Sequence, residues 1–296
     1  MDSFESQIPR WGQRQRFAFL ERRLFWEGML SRQDLMTRFG ISAPQASMDV
    51  QRYGELAPGN VEFDRSRKVF VPLPGFEPKF FEPSARHYLS QLLLQSDQAV
   101  PAFESWLGKE PEFAAIPRLR RKMDAETLRP IVNCIHQRLA IRVLYQSMTS
   151  PEPTWRDIAP HALVFDGARW HARSWCYKRS TFTDFVLARM LALRESQPSG
   201  IDPALDGAWH QRFTMELAPH PDLTEGQRRA IEMDFDMREG KIGIEMRLCL
   251  TAYFERHYGL DIPRESLPPW RRQVVLCNRD ALISMRSEFG EPLELS

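Results

Sequence analysis

The chain has 296 residues, 43% hydrophobic and 27% charged, with 40 Lys and Arg against 39 Asp and Glu for a formal net charge of +1. This is the composition of a folded globular protein with room for two or three domains, and it excludes a disordered chain. The near-zero balance also excludes a global basic field, so any nucleic-acid footprint must be local.

Phe17, Leu20 and Leu24 recur at helical spacing between arginines and predict an amphipathic helix over about 12–26, ended by Gly28. Ser31 and Asp34 have capping-box spacing for a second helix that buries Leu35 and Phe39 and stops at Gly40. Ser42 is the N-cap of a third helix, with Pro44 in its first turn and Gln45 three residues on. Ala46, Val50, Tyr53 and Ala57 make its apolar stripe. The other face carries Gln45, Ser47, Met48, Gln51 and Arg52, residue types that contact base edges and phosphates. Asp49 is a dissenting charge, which either orients an arginine or lies off the contact surface.

After Pro58-Gly59 the period becomes two. Val61 and Phe63, the turn Asp64-Arg65-Ser66-Arg67, and Val69 and Val71 form a hairpin with a basic tip. Two helices, a tight turn and a basic hairpin are the layout of a winged helix-turn-helix, expected over residues 1–78. Its expected DNA contacts are Ser42, Pro44, Gln45, Ser47, Met48, Gln51 and Arg52 on the helix, and Arg65, Arg67 and Lys68 on the wing. Of two further basic clusters, Arg14, Arg16, Arg22 and Arg23 lie early in the chain, and Arg118, Arg120, Arg121 and Lys122 read as a solvated face.

Pro72, Pro74, Pro78 and Pro83 open a helical linker, assigned to 79–129. It contains a helix over about 84–95, with Leu89, Leu92 and Leu93 on its apolar side, and an irregular proline-broken stretch to Pro117. Residues 124–140 read as a helix through Leu128, Val132, Ile135 and Leu139. Strand patterns follow over 141–145 and 156–159, then a hairpin over 162–175 with a type I′ turn at Asp166-Gly167, then a strand over 184–190. Short antiparallel strands in so small a space suggest an SH3-like or Sm-like barrel over 130–198. Beyond Pro198-Ser199-Gly200, residues 230–237 and 241–246 read as strands, 248–258 as a helix ended by Gly259, 273–277 as a strand and 279–289 as a helix. This α+β extension spans 199–296, and its aromatics Tyr253, Phe254 and Tyr258 serve either an interface or a core.

Arg169-Trp170-His171-Ala172-Arg173, after an Asp-Gly turn and before Phe185-Val186-Leu187-Ala188-Arg189, resembles the WYL domain of bacterial transcription regulators. Only the tryptophan of the Trp-Tyr-Leu tripeptide is kept. Trp-His in its place is similar to the regulators of BREX and CBASS phage-defence islands, the BrxR and CapW type. The stretches 40–47, 55–60 and Phe63 to Lys68 are similar to the winged domain of that subgroup. The resemblance implies a ligand-sensing pocket at Tyr145, Ser147, His161, His171, Arg173 and Arg189, and a C-terminal extension that mediates dimer contacts. Two arginines beside tyrosine, serine and histidine would clamp an anion such as a nucleotide or oligonucleotide; the plain alternative is that Arg173 and Arg189 pair with Asp157, Asp166 or Asp184. His161 and His171 lack further ligands at metal-binding spacing.

The expected molecule is an α+β homodimer that binds inverted-repeat double-stranded DNA and represses a defence operon. It is expected to be cytoplasmic, with no membrane partner and no cofactor, since no apolar run approaches a membrane span and the N-terminus lacks a signal segment. The four cysteines are expected to be small buried residues. No phosphate-binding glycine loop, His-Glu metal motif or nucleophile–base arrangement supports the rival reading of a nucleic-acid-processing enzyme. A second rival is an adaptor that binds protein through the barrel.

Overall fold

The structure is a computed structural model that describes residues 11–96, 106–108, 110–117, 119 and 122–291. The chain divides into two compact units, 1–119 and 120–296. In the first, α1 (Trp11–Glu27), α2 (Arg32–Phe39) and α3 (Ala43–Leu56) precede a hairpin of β1 (Val61–Asp64) and β2 (Val69–Pro72). The capping box of α2 is closed both ways: Asp34 N donates to Ser31 Oγ at 3.2 Å, and Ser31 N donates to Asp34 Oδ2 at 2.7 Å. Gly40, at φ +62°, ends that helix in the left-handed conformation. The three helices bury Phe17, Leu20, Leu24, Leu35, Ala46, Val50, Tyr53 and Ala57 in one core, each large side chain contributing on the order of 1.5–3 kcal/mol by leaving water. Leu30 pairs with Phe70 through two backbone hydrogen bonds of 2.9 and 2.7 Å, which ties the wing to the α1–α2 connection.

A buried polar network fastens the next segment. Glu21 is 0% exposed and accepts from Tyr53 Oη at 3.0 Å and from the backbone N–H groups of Lys79, Phe80 and Phe81 at 2.8, 2.6 and 3.1 Å. Asn60 donates to Tyr53 Oη and to the Glu77 carbonyl. A buried carboxylate requires such donors. The start of the expected linker is thereby strapped onto the winged domain, and Phe80 and Trp106 pack on its core.

Helix α4 (Ala85–Ser96) corrects one expectation: Leu92 is buried, but Leu89 and Leu93 remain 58% and 44% exposed. The described residues from 106 to 119 contain no helix or strand. Of the third basic cluster, Arg118, Arg120 and Arg121 lie outside the described residues, and Lys122 is exposed.

In the second unit, α5 (Ala125–Gln137) packs on a five-stranded antiparallel sheet in the order β6-β5-β4-β3-β7. The strands are β3 (Leu139–Tyr145), β4 (Thr154–Phe165), β5 (Trp170–Cys176), β6 (Thr181–Val186) and β7 (Met190–Pro198). Ile131 and Cys134 of α5 meet Ile141, Val143, Ile158, Ala172, Phe185, Leu187 and Met190. The helix stops at Gln137 rather than Ala140, because Arg138 takes φ +54° and Leu139 joins β3.

The single strand expected over 184–190 is instead the end of β6, a one-turn 3-10 helix (Leu187–Arg189) and the start of β7. Leu187 and Met190 are both buried, and residues three apart share a side in a helical turn but face opposite ways in a strand. The hairpin turn also falls one residue later than expected. Asp166 N donates to the Arg169 carbonyl, so Gly167 and Ala168 are the central pair, and Gly167 supplies the positive φ of +93°. Glycine in the first central position fits a type II′ turn, not I′.

The C-terminal sheet has the order β10-β8-β9, from β8 (Arg212–Pro219), β9 (Ile242–Arg247) and β10 (Val274–Leu276). Around it lie α6 (Gly207–His210), α7 (Glu225–Asp234), α8 (Thr251–Tyr258) and α9 (Arg279–Glu288). Residues 230–237 are not a strand: a capping box of Thr224 and Gln227 starts α7, which runs through 230–234. The central strand β8 was not foreseen, although Phe213, Met215 and Leu217 alternate inward along it. Cys134, Cys176 and Cys249 are buried as expected, whereas Cys277 is exposed.

Candidate nucleic-acid interface and anion cavity

Helix α3 presents its polar side as its sequence pattern requires. Ser42 is spent as the N-cap, accepting from Gln45 N, with Pro44 in the first turn. Ser42, Pro44, Met48 and Gln51 are exposed; Gln45, Ser47 and Arg52 are half-buried. Arg52 pairs with Glu55 at 2.8 Å on the surface, a contact worth a fraction of a kcal/mol and easily exchanged for a phosphate. Arg65, Arg67 and Lys68 are all exposed on the wing. Asp64 shapes its tip, accepting from Ser66 N at 2.9 Å and Arg67 N at 3.0 Å. A hydrogen bond from the Ser66 hydroxyl, with these backbone donors, holds the Asp64 carboxyl below its usual range.

Asp49 resolves in favour of orienting an arginine. It is 0% exposed and accepts from Arg16 Nε at 2.6 Å and Nη2 at 3.2 Å, and from Gln13 and Gln45 Nε2 at 3.1 and 3.2 Å. The sequence reading missed Gln13 and Arg16 as neighbours of the interface. The signal was present: position 49 lies three residues after Ala46 and four before Tyr53, on the buried side, where a carboxylate needs a cation.

In the second unit, a cavity of about 400 Å³ gathers part of the expected ligand constellation. Tyr145, Ser147, His171 and Arg189 line it, with Arg156, Arg169 and Arg179 from the same sheet and its loops. Helix α8 of the C-terminal region adds Tyr253 and Arg256. Five arginines thus face one carboxylate, Asp184. Among the described residues Arg156, Arg179 and Arg189 carry no ion pair, so the cavity holds uncompensated positive charge. The turn shift explains how its wall is built: Asp166 precedes the central pair, and its carboxylate accepts from the turn's Ala168 N and Arg169 N and from Arg169 Nε and His171 Nε2. Burial works to raise its pKa, but these donors, His171 foremost, hold the carboxyl far below the usual range. With Nε2 facing Asp166, the buried His171 Nδ1 has no hydrogen-bond partner among the described residues. Tyr145 is buried, its hydroxyl oxygen accepting from Val186 N at 3.2 Å.

His161 and Arg173 do not line this cavity. His161 Nε2 lies 2.9 Å from Asp206 Oδ2, and its ring stands edge-on to Phe182 and Trp209. Arg173 is 2% exposed. Its Nε and Nη2 grip Asp206 at 2.8 and 3.0 Å, Nη2 also reaches Glu291, and Nη1 lies 3.6 Å from Asp184 Oδ1. Arg189 sits in the 3-10 turn and not on a strand beside it. The plain alternative therefore holds for Arg173: it is a buried ion-pair centre, whose main carboxylate partner, Asp206, lies outside the three weighed from sequence.

A larger open groove, about 760 Å³, runs along β3 and β7. Its cations are already matched: Arg142 pairs with Asp157 at 2.7 Å, and Arg194 stacks on Trp155 at 4.2 Å. It offers an anion less than the smaller cavity does.

Family models match along the chain: the BrxR transcriptional regulator winged helix-turn-helix domain over residues 12–94, the WYL domain over 126–195, and the BrxR transcriptional regulator C-terminal dimerization domain over 212–282. The chain is 37% identical to a DNA-binding transcriptional repressor CapW of Stenotrophomonas maltophilia, over 99% of both chains. It is also 37% identical to CapW of Escherichia coli strain KTE188, over 94% of this chain and 93% of the other, and to CapW of Pseudomonas aeruginosa, over 93% and 92%. Among solved structures, the proteasome accessory factor B/C of Arthrobacter aurescens matches with a TM-score of 0.25 and 13% identity, over 94% of this chain and 47% of that one. The chain thus spans about half the length of that protein.

Proposed function

The chain belongs to the BrxR and CapW family of WYL-domain regulators, DNA-binding transcriptional repressors with a dimerisation domain, and from that premise we propose a ligand-responsive homodimer that represses a phage-defence operon. Two winged domains read inverted half-sites. Their contacts are Ser42, Pro44, Gln45, Ser47, Met48, Gln51 and Arg52 in the groove, and Arg65, Arg67 and Lys68 on the backbone. The observation that carries this is the agreement of a sealed apolar stripe, an open polar face and a three-cation wing on one small domain.

The effector is an anion with the chemistry of a nucleotide or oligonucleotide, taken into the cavity by Arg156, Arg179 and Arg189. Tyr145, Ser147 and His171 complete its walls, and Tyr253 and Arg256 carry occupancy to the dimerisation region. The uncompensated arginines support the anion, and the unpartnered His171 Nδ1 offers an acceptor to a base amine. To act as an inducer, the ligand must bind the DNA-free state more tightly than the DNA-bound state.

Gel-shift titrations with operator and scrambled duplexes test the DNA half. Arg67→Ala weakens both equally and lowers the salt slope by about 1, as loss of one phosphate contact does. Weakening confined to the operator would contradict a backbone role for the wing. For the effector half, Arg189→Ala abolishes release of DNA by the anion while leaving operator affinity unchanged; intact release would remove the cavity from the mechanism.

A further inference from the structure

We propose that Gln45 reads an adenine in each half-site, and that Asp49, charge-balanced by Arg16, fixes the amide so that it cannot read guanine instead. This rests on the winged-helix reading above and adds the base and the reason for its choice. An ionised carboxylate accepts hydrogen bonds only, so the end of the Gln45 side chain facing Asp49 Oδ1 at 3.2 Å is its NH2 group. With the N–H trans to the carbonyl spent there, the remaining N–H and the carbonyl lie side by side on the free edge of the planar amide.

A donor beside an acceptor matches the N7 and N6–H2 of adenine in the major groove. Guanine shows two acceptors, N7 and O6, at the same place. An unrestrained glutamine could turn its NH2 toward both; the Asp49 lock removes that option. The lock is firm because Asp49 is 0% exposed and is also held by Arg16 Nε at 2.6 Å and by Gln13. Arg16 balances its charge, so a carboxylate near the DNA backbone is tolerated. Met48, three residues after Gln45 and 62% exposed, is the one large hydrophobic side chain that α3 leaves open among the described residues. An apolar group beside the reader suits the thymine methyl of the same or an adjoining A·T pair.

The test selects duplexes from a random pool with the full chain and with Gln45→Ala, then places 7-deazaadenine, which lacks the N7 acceptor, at each enriched A·T position. Gln45→Ala loses its preference at one A·T position and keeps the others. At that position 7-deazaadenine weakens the native protein about ten- to a hundredfold, the range of a bidentate base contact, and leaves Gln45→Ala unchanged. Asp49→Asn, which presents an amide of its own, admits guanine there. If Gln45→Ala enriches the same half-site, or the analogue weakens both proteins alike, the assignment is overturned while the repressor reading stands. If the native chain enriches no sequence at all, sequence-specific DNA binding fails with it.

Discussion

Arg173 holds three carboxylates around one buried guanidinium. Burial works against its charge, but Asp206, Asp184 and Glu291 together push its pKa further above the ordinary arginine range. Burial raises the pKa of Glu291 as well, by disfavouring its charged form. Removing one member of such a set leaves uncompensated charge in a dry place. Arg173→Ala therefore lowers stability by about 3–5 kcal/mol in urea unfolding, whereas Arg189→Ala changes it by less than about 0.5 kcal/mol. Comparable losses from the two variants would mean that Arg173 is not the structural centre described. Asp206 gives the pair a pH signature. Burial opposes its charge, but hydrogen bonds from His161 and Arg173 lower its pKa from 3.8 to about 2. Because the folded value is the lower one, the stabilisation is complete above about pH 4 and is lost as pH falls toward 2. It amounts to about 2 kcal/mol. Asp206→Asn removes that part of the acid dependence, which thermal melts between pH 5 and 2.5 would detect.

At the scale of elements, α3 is held from both sides by buried acids. Asp49 ties its N-terminal half to α1, and Glu21 ties Tyr53 in its last turns to α1 and to residues 79–81. Helix α3 and the strap share one carboxylate. Tyr53→Phe keeps the ring packing but orphans the Asn60 donor and one lone pair of Glu21, at a cost of about 1–3 kcal/mol. The expected result is a lower melting temperature and faster proteolysis near Lys79, with unchanged helix content. A strap as resistant as the native one would show that the three backbone donors suffice. The hairpin β4–β5 makes a similar use of an acid: the turn falls on Gly167-Ala168, and Asp166 beside it orients Arg169 and His171 toward the cavity.

For the whole molecule, symmetry makes the test. A dimer reading inverted half-sites requires them on one face of the duplex, about 34 Å or a multiple of it apart. Inserting about 5 base pairs between them turns one half-site away and reduces affinity to that of a single domain. Inserting about 10 restores the phase. Gel shifts on the spaced operators report this directly, and indifference to spacing would refute paired reading. The C-terminal region supplies both the matched dimerisation domain, over 212–282, and one wall of the cavity, through Tyr253 and Arg256. The cavity wall and the matched dimerisation domain therefore share α8.

The helix ends and apolar stripes of the winged domain were legible in the sequence. Ser31 with Asp34, Gly40 and Ser42 with Pro44 are local signals, set by hydrogen bonds and backbone angles within a few residues. It also determined the family, through short motifs in the right order. The tertiary structure alone decided which arginines are free. A guanidinium looks the same in sequence whether three acids surround it, as at Arg173, or it pairs with none among the described residues, as at Arg156. Those acids come from 11, 33 and 118 residues away. Asp49 shows where the boundary between the two lies: its burial could be read from periodicity, but its partner Arg16, 33 residues earlier, could not, because charge pairing depends on distance in space.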